Sequence, residues 1–209
     1  MTKAFDDLFI FEMANNHQGD LKHGILIIDE MAKIRDKYHI NSGVKFQYRE
    51  LNSFIHDDFK NREDVKHIPR FLSTRLSDEQ FNIMAARVQE LGMLSISTPF
   101  DEISVEKCVA QNLDIIKIAS CSADDWPLLE KVASANKPVI ISTGGLKINE
   151  IDDLVSFFSH KVVDFALLHC VALYPSPNES INMNFIDKLK KRYPEIPIGF
   201  SGHEAPENN

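Results

Sequence analysis

A chain of 209 residues, 44% hydrophobic and 26% charged, has the composition of an ordinary globular protein and can bury one large core. The formal net charge is −8 and no Lys/Arg cluster stands out, which argues against a nucleic-acid partner. No apolar run approaches the ~18 residues that cross a bilayer, and the acidic N-terminus lacks the basic and apolar regions of a signal peptide. We therefore expect a cytoplasmic protein with no membrane partner.

Seven short apolar runs, rich in Ile, Val and Phe, alternate with amphipathic stretches along the chain. Such runs are typical of parallel strands that are buried on both faces. The predicted strands are Leu8–Met13, Gly43–Gln47, Met93–Ser97, Asp114–Ala119, Pro138–Ser142, Asp164–His169 and Ile196–Phe200.

The stretches between the predicted strands carry signals for helix ends. Asp20 can cap a helix, and Ser77 begins a capping box that Gln80 completes. Gly92 marks the end of that second helix, because glycine readily takes the left-handed conformation that ends helices. Three further helices are predicted at 104–112, 149–159 and 182–193.

Two other connections stand out. Asp125 can cap a helix with Pro127 in its first turn, where the missing N–H of proline costs nothing. The stretch Tyr48–Thr74 is long for a loop between a strand and a helix. We expect it to carry a short helix and to cover part of a site.

Alternating strands and helices leave two architectures, a doubly wound open sheet and a TIM (β/α)8 barrel. Polar, chemically capable residues follow almost every predicted strand, whereas an open sheet concentrates its site near one switch point. This pattern favours the barrel. Only seven strands are visible, so we predict one incomplete barrel domain over 1–209, with the eighth strand on a longer chain.

Charged residues inside the predicted strands are candidates for function. Glu12 lies at the end of the first strand, where a carboxylate must be paired or used. Lys45 and Gln47 flank Phe46 and so point to the same side of the second strand. Lys117 lies within the fourth strand. A phosphate or carboxylate ligand could supply a counter-charge to both lysines; the alternative is that each lysine pairs with a neighbouring acid.

Hydroxyls and histidines lie at other strand ends. Thr98, Ser142, Thr143 and Ser201 could surround a phosphate together with the Gly144-Gly145 backbone. Each of these signals is weak alone, since Ser and Thr are common in turns. His169 is interpreted as a hydrogen-bonded structural residue. His203 lies in a short polar segment and could hold a divalent metal, although no second protein ligand is evident.

Taken together, these segments resemble the sialic acid synthase family, including its spore-coat polysaccharide relatives. The similarity runs from Glu12 to Glu204 in the order that the family shows. The segments that carry it are EMANNHQGD, VKFQ, STPFD, KIAS, ISTGG, LLHCVALYPSP and GFSGHE.

The resemblance implies a TIM barrel that condenses phosphoenolpyruvate with an N-acetylated sugar aldehyde, giving a nonulosonic acid with cleavage of the phosphoenolpyruvate C–O bond. It also implies a divalent metal, Mn²⁺ or Mg²⁺, and allows a homodimer. By resemblance, Glu12 and His203 are catalytic, Glu12 handling water or protons and His203 binding the metal. The substrate ligands implied are Lys45, Gln47, Thr98, Lys117, Ser120, Ser142, Tyr174 and Ser201.

The sequence departs from the family pattern at several places. Cys121-Ser122 stands where the family usually has Gly-Glu, Ala172 where an Asn is frequent, and Gly202 where an Asp is usual. The family's second metal-binding histidine and its C-terminal antifreeze-like domain are not found in this sequence. These departures bear on which sugar is the substrate and on whether the chain is catalytically active.

Two alternative functions therefore stay open. Lys117 could form a Schiff base, as strand lysines do in other barrels, which would make the chain an aldolase. Ala172, Ser122 and Gly202 instead favour a barrel that binds a sugar or phosphoenolpyruvate without reaction.

Overall fold

A computed structural model of the chain describes residues 3–65 and 67–205. All seven predicted strands are confirmed, with bounds that shift by at most two residues. The strands are β1 (Phe9–Ala14), β2 (Ser42–Tyr48), β3 (Leu94–Pro99), β4 (Ile115–Ile118), β5 (Val139–Ser142), β6 (Phe165–Cys170) and β7 (Ile198–Ser201).

The helices begin where their caps predict. Asp20 accepts hydrogen bonds from the backbone N–H groups of Lys22 and His23, and Ser77 forms the capping box with Gln80. Local polar side chains satisfy the free N–H groups of the first turn, so these boundaries can be predicted from short segments. The helices are α1 (Leu21–Tyr38), α2 (Leu51–Phe54), α3 (Ile68–Ser73), α4 (Asp78–Glu90), α5 (Glu102–Ala110), α6 (Trp126–Ser134), α7 (Ile148–His160) and α8 (Asn184–Arg192).

The strands are parallel and follow one another in the unbroken order β1-β2-β3-β4-β5-β6-β7. A doubly wound sheet reverses its order at a switch point, whereas a (β/α)8 barrel adds each strand beside the previous one. The fold is therefore α/β of the TIM-barrel class, with seven of the strands present, as predicted. Among the described residues, no helix combines the length and apolarity needed to span a membrane.

The chain divides into two compact units. The N-terminal unit, Asp7–Ile116, contains β1 to β3 and the first half of β4. Its core includes Phe46 of β2 and Met84 of α4, which are fully buried. The C-terminal unit consists of Lys117–Asn209 with the first six residues and contains the rest of β4 to β7. Whether 1–209 is one domain remains a prediction.

The sequence predicted a short helix in the long connection between β2 and α4, and the described residues of this connection contain two, α2 and α3. It has a small hydrophobic cluster of its own, in which Leu51, Ile55 and Ile68 are buried. Val65 and Phe71 pack against this cluster. The connection is therefore folded by its own apolar contacts.

Candidate functional site

The predicted residues of the N-terminal unit meet at the ends of three neighbouring strands. Glu12 of β1 lies opposite Lys45 of β2 in the strand register, and Gln47 lies opposite Thr98 of β3. The Lys45 Nζ is 2.5 Å from Glu12 Oε2 and 3.5 Å from Thr98 Oγ1. Lys45 is only 6% exposed. Its counter-charge in this structure is Glu12. Of the two alternatives that the sequence left open for Lys45, the structure thus shows the pairing with a neighbouring acid.

The end of β1 is shaped to hold the Glu12 carboxylate. The pairing with β2 is irregular between Glu12 and Ala14, as at a β-bulge. Ala14 has a φ of 42° and donates its N–H to Glu12 Oε1 at 3.0 Å. Bulges reorient side chains, and a left-handed alanine costs about 1–2 kcal/mol. Both carboxylate oxygens of Glu12 are thus engaged, one by a backbone N–H and one by Lys45.

Arg49 orients the amide of Gln47. The Arg49 Nη2 donates to Gln47 Oε1 at 3.0 Å, which identifies the oxygen end of the amide and turns the NH₂ end elsewhere. The guanidinium lies 3.8 Å from the ring centroid of Phe100 and 4.4 Å from that of Phe71. Sequence reasoning missed Arg49, because its ring contacts come from other segments of the chain.

In the C-terminal unit, two predicted serines lie beside Cys170. Ser120 Oγ is 3.8 Å from the Cys170 Sγ, and Ser201 is the register partner of Cys170 between β6 and β7. A Cβ at Gly144 would overlap the Cys170 sulfur and lie 3.3 Å from Ser120 Oγ. A side chain at this position would have to displace the Cys170 thiol, so glycine leaves the thiol its place. Nothing in the sequence indicated that Cys170 would lie beside these serines, because they come from separate segments of the chain.

Ser142 and Lys117 are both buried in strands of the C-terminal unit. Ser142 is 1% exposed, and its hydroxyl has no hydrogen-bond partner within the described residues. A buried hydroxyl without a partner is costly unless a ligand or water completes it. Lys117 is 8% exposed in β4 and takes part in at least one polar or electrostatic interaction.

The side chains of Tyr174, which follows β6, and His203, which follows β7, lie together. Their ring centroids are 4.2 Å apart, and the backbone carbonyl of His203 accepts a hydrogen bond from Ser176 N–H at 2.8 Å. His169, by contrast, bonds through Nε2 to the Ile181 carbonyl at 2.7 Å, in keeping with the structural role predicted for it.

The part of the chain that the structure describes contains no complete set of side-chain ligands for the predicted metal. Within residues 3–65 and 67–205, no group of three or more His, Cys, Asp or Glu side chains could hold a metal ion. His203 has Glu204 as its neighbour in sequence, and these two do not suffice for the coordination that catalytic metals need. The metal therefore stays a prediction from the resemblance.

A cavity of about 510 Å³ opens in the N-terminal unit beside Gln47. It lies between the ends of β1 and β2, the segment 71–78 and α5. One wall is an ion-pair network, in which Lys107 Nζ is 2.8 Å from Glu50 Oε2 and 2.9 Å from Asp78 Oδ1. Gln47 is the one lining residue that was predicted to bind a ligand, although the stretch 48–74, from which several others come, was expected to cover part of a site.

The charges of this network support one another. The hydrogen bond from Lys107 lowers the pKa of Glu50. Burial opposes the charge on Lys107, but its hydrogen bonds to Glu50 and Asp78 outweigh burial and raise its pKa. Burial also lowers the pKa of His17, which lines the same cavity. His17 is therefore neutral near pH 7, while Lys107 and Glu50 are charged.

Comparison with known proteins identifies relatives along nearly the whole chain. An uncharacterized protein of Methanocaldococcus jannaschii, MJ1065, is 36% identical over 202 residues, covering 96% of this chain and 56% of that protein. The N-acetylneuraminate-9-phosphate synthase of Drosophila melanogaster is 31% identical, covering 97% of this chain and 55% of the synthase. The chain thus spans about half the length of these curated relatives.

Solved structures agree with this relationship. A Chromobacterium violaceum protein assigned to spore coat polysaccharide biosynthesis is 45% identical, with a TM-score of 0.94, covering 97% of this chain and 60% of that one. The sialic acid synthetase of Leptospira borgpetersenii, solved with citrate, is 33% identical with a TM-score of 0.82, covering 95% and 65%. The NeuB family profile matches residues 37–208. With more than half of its length matched, the chain belongs to the NeuB family.

Proposed function

We propose that this chain carries out the condensation of phosphoenolpyruvate with an N-acetylated sugar aldehyde, giving a nonulosonic acid. NeuB membership and relatives named as synthases of such acids support the proposal. The observation that carries it is the buried Lys45 ammonium at a strand end, between the Thr98 hydroxyl and the Glu12 carboxylate. The ammonium and hydroxyl groups can bind an anion, and the neighbouring carboxylate can transfer protons.

In the proposed reaction, the methylene carbon of phosphoenolpyruvate bonds to the aldehyde carbon, and the aldehyde oxygen takes up a proton to become a hydroxyl. Water adds to C2 of the former enol. The bond between C2 and the bridging oxygen then breaks, so inorganic phosphate leaves with that oxygen. The new ketone keeps the oxygen of the water, and atoms and charges balance.

Within the N-terminal unit, Lys45, Gln47 and Thr98 would bind the anionic substrate. A phosphate or carboxylate that reaches Lys45 takes the place of Glu12 as its counter-charge. The Glu12 carboxylate remains oriented by the Ala14 N–H and becomes free to accept a proton from water. Substrate binding and activation of the base are thereby linked.

Within the C-terminal unit, Lys117, Ser120, Ser142 and Ser201 are proposed as further ligands of phosphoenolpyruvate, and Tyr174 as a contact of the sugar. The buried, unpartnered hydroxyl of Ser142 supports this role within the described residues. A divalent metal at His203 and a homodimer belong to the same proposal by resemblance, and a cytoplasmic location is proposed from the sequence alone.

The test uses phosphoenolpyruvate with ¹⁸O at the bridging oxygen, Mn²⁺ and a panel of N-acetylated hexosamines. We expect phosphate release that requires the sugar, with the ¹⁸O label in phosphate and an unlabelled keto acid. Label retained in the organic product would mean P–O cleavage and would contradict the proposal. A reaction without sugar serves as the control for simple hydrolysis.

The two alternatives predict other results. An aldolase that uses Lys117 would be trapped covalently by borohydride in the presence of a keto acid, which the proposed reaction does not allow. A barrel without catalytic activity would bind phosphoenolpyruvate in calorimetry but release no phosphate with any sugar of the panel. Either outcome overturns the proposed function.

A further inference from the structure

We propose that the cavity beside Gln47 is a second binding site, which takes a monoanionic, N-acylated polyhydroxy acid. This is the chemical class of the product of the proposed reaction, and the identification with the product rests on that proposed function. The site is distinct from the residues proposed to bind phosphoenolpyruvate, of which only Gln47 reaches the cavity.

The size of the cavity suits a molecule of this class. Its volume of about 510 Å³ lies within the range of roughly 300–1,000 Å³ that small-molecule sites occupy. The cavity is formed by chain segments that are themselves well packed: the ion-pair network at one wall and the hydrophobic cluster under Phe71 at the other. It is therefore largely formed before a ligand arrives.

The charge of the lining favours a single negative charge on the ligand. Three cations, Arg49, Arg75 and Lys107, face two carboxylates, Glu50 and Asp78. Lys107 pairs with both carboxylates, and three cations against two carboxylates leave the lining with one net positive charge. The Arg75 side chain makes no direct ion pair or hydrogen bond within residues 3–65 and 67–205, although it lies near enough to Glu50 to help lower the pKa of that carboxyl. A carboxylate on the ligand would give it a partner, ideally a bidentate one.

The remaining lining favours hydroxyl and amide groups. Neutral His17 accepts from the Gly19 N–H through Nδ1 at 3.1 Å, so its proton is on Nε2. That Nε2 is buried without a partner among the described residues and requires an acceptor. Asn15 and Gln111 add amide groups, and the rings of Phe71 and Phe81 add apolar faces. Polar groups beside aromatic faces suit an N-acylated sugar better than a purely charged or purely apolar ligand.

Occupation of this cavity would influence the reaction through Arg49. Arg49 lines the cavity and donates to Gln47 Oε1, and Gln47 stands opposite Thr98 in the strand register. A hydroxyl or acyl oxygen of the ligand that accepts a hydrogen bond from Arg49 would compete with Gln47 for the guanidinium. The bound acid is therefore expected to slow the reaction and to weaken phosphoenolpyruvate binding in part, without excluding phosphoenolpyruvate from its site.

The test measures binding of N-acetylneuraminic acid to the chain by calorimetry, with and without saturating phosphoenolpyruvate. We expect binding in both conditions, at least fivefold weaker in Arg75→Ala and weaker still in Arg75→Glu. Lys191→Ala, an exposed lysine of α8, is the matched control for loss of one positive charge and should leave the affinity unchanged. Uncharged N-acetylmannosamine should bind more weakly than the acid.

A second variant, Thr74→Trp, places a large ring in the cavity and should abolish binding of the acid; a melting curve reports whether it folds. Loss of binding when phosphoenolpyruvate is added, or unchanged affinity in both Arg75 variants, overturns the proposal. A phosphorylated sugar that binds more tightly than the acid also overturns it. If the acid binds but no synthase activity is found, the cavity site stands and the proposed function fails. If synthase activity is found but binding of the acid does not depend on Arg75, the proposed function stands and the cavity site fails.

Discussion

At the scale of single residues, the site depends on how two opposite charges are held in a partly buried place. Lys45 is almost fully buried, whereas the Glu12 side chain is 48% exposed. Removing one partner of such a pair leaves the other without compensation, while an arriving anion can replace Glu12 at no loss of charge balance. The pair thus holds the Lys45 side chain in place for an arriving anion.

Lys45→Ala is expected to weaken phosphoenolpyruvate binding by about 1.5–3 kcal/mol, the value of hydrogen bonds to charged groups. Calorimetry with phosphoenolpyruvate measures this change. Lys33→Ala is the matched control, because Lys33 also pairs with a glutamate, Glu30, but both side chains are exposed. Equal affinity of the Lys45 variant and the parent chain would remove Lys45 from the site.

Val162 is a strained residue away from the site. It has a φ of 57° and is 90% exposed, although β-branched residues are rarely left-handed. Val162→Asn should stabilise the chain by about 1 kcal/mol, because asparagine tolerates this conformation and no packing is lost. Urea unfolding measures the change in the free energy of unfolding.

Asn136 provides the reciprocal control for Val162. It has the same φ of 57° and is also exposed, so Asn136→Val should destabilise the chain by a similar amount. A destabilised Val162→Asn variant would show that this valine makes contacts that outweigh its backbone strain.

At the scale of elements, α7 and α8 are joined by one polar cluster. Arg192 donates to both carboxylate oxygens of Asp152, at 2.8 and 2.6 Å, and the Tyr193 hydroxyl donates at 2.6 Å. The hydrogen bonds from Arg192 and then Tyr193 lower the pKa of Asp152 to about 2. The unfolded chain has the ordinary value near 3.8, so the cluster stabilises the fold fully above that pH.

We expect the stability difference between the parent chain and Asp152→Asn to be constant at neutral pH and to shrink as the pH falls from about 4 to about 2. In this range the folded carboxylate becomes protonated and loses its ion pair. Urea unfolding at several pH values tests this. A difference that grows toward low pH would contradict the assignment. Asp153→Asn is a suitable control, since Asp153 is an exposed neighbour on α7.

The connection that carries α2 and α3 is attached to β2 through Arg49. The stacking on Phe71 and Phe100 uses the flat face of the guanidinium, which lysine lacks. Arg49→Lys should therefore increase hydrogen exchange in 50–74, while exchange in α7 stays the same. Equal exchange in the variant and the parent chain would show that the hydrophobic cluster alone holds this connection.

At the scale of the whole molecule, ligand binding should appear as added stability. A ligand at one hundred times its dissociation constant stabilises the folded state by about 2.7 kcal/mol. In a chain of this size that corresponds to a rise in melting temperature of roughly 5–10 °C. We expect phosphoenolpyruvate to produce this rise in the parent chain and, at the same concentration, a smaller one in Lys45→Ala. No rise with the parent chain would argue against a phosphoenolpyruvate site.

What could be predicted from the sequence is local or periodic. Strand positions follow from short apolar runs, and helix starts follow from single capping residues such as Asp20 and Ser77. Lys45 and Gln47 could be placed on one side of β2 because side chains alternate along a strand. The family resemblance supplied the remaining site residues, and it agrees with the NeuB match.

The tertiary structure decided which groups meet. Lys45 has Glu12 as its counter-charge, and Arg49 packs against Phe71 and Phe100. A cavity opens beside Gln47. Each of these features depends on residues that are far apart in sequence. Capping and alternation act over a few residues, so a sequence displays them directly. Ion pairs and cavities arise only when separate segments pack together, and side chains compete for partners there.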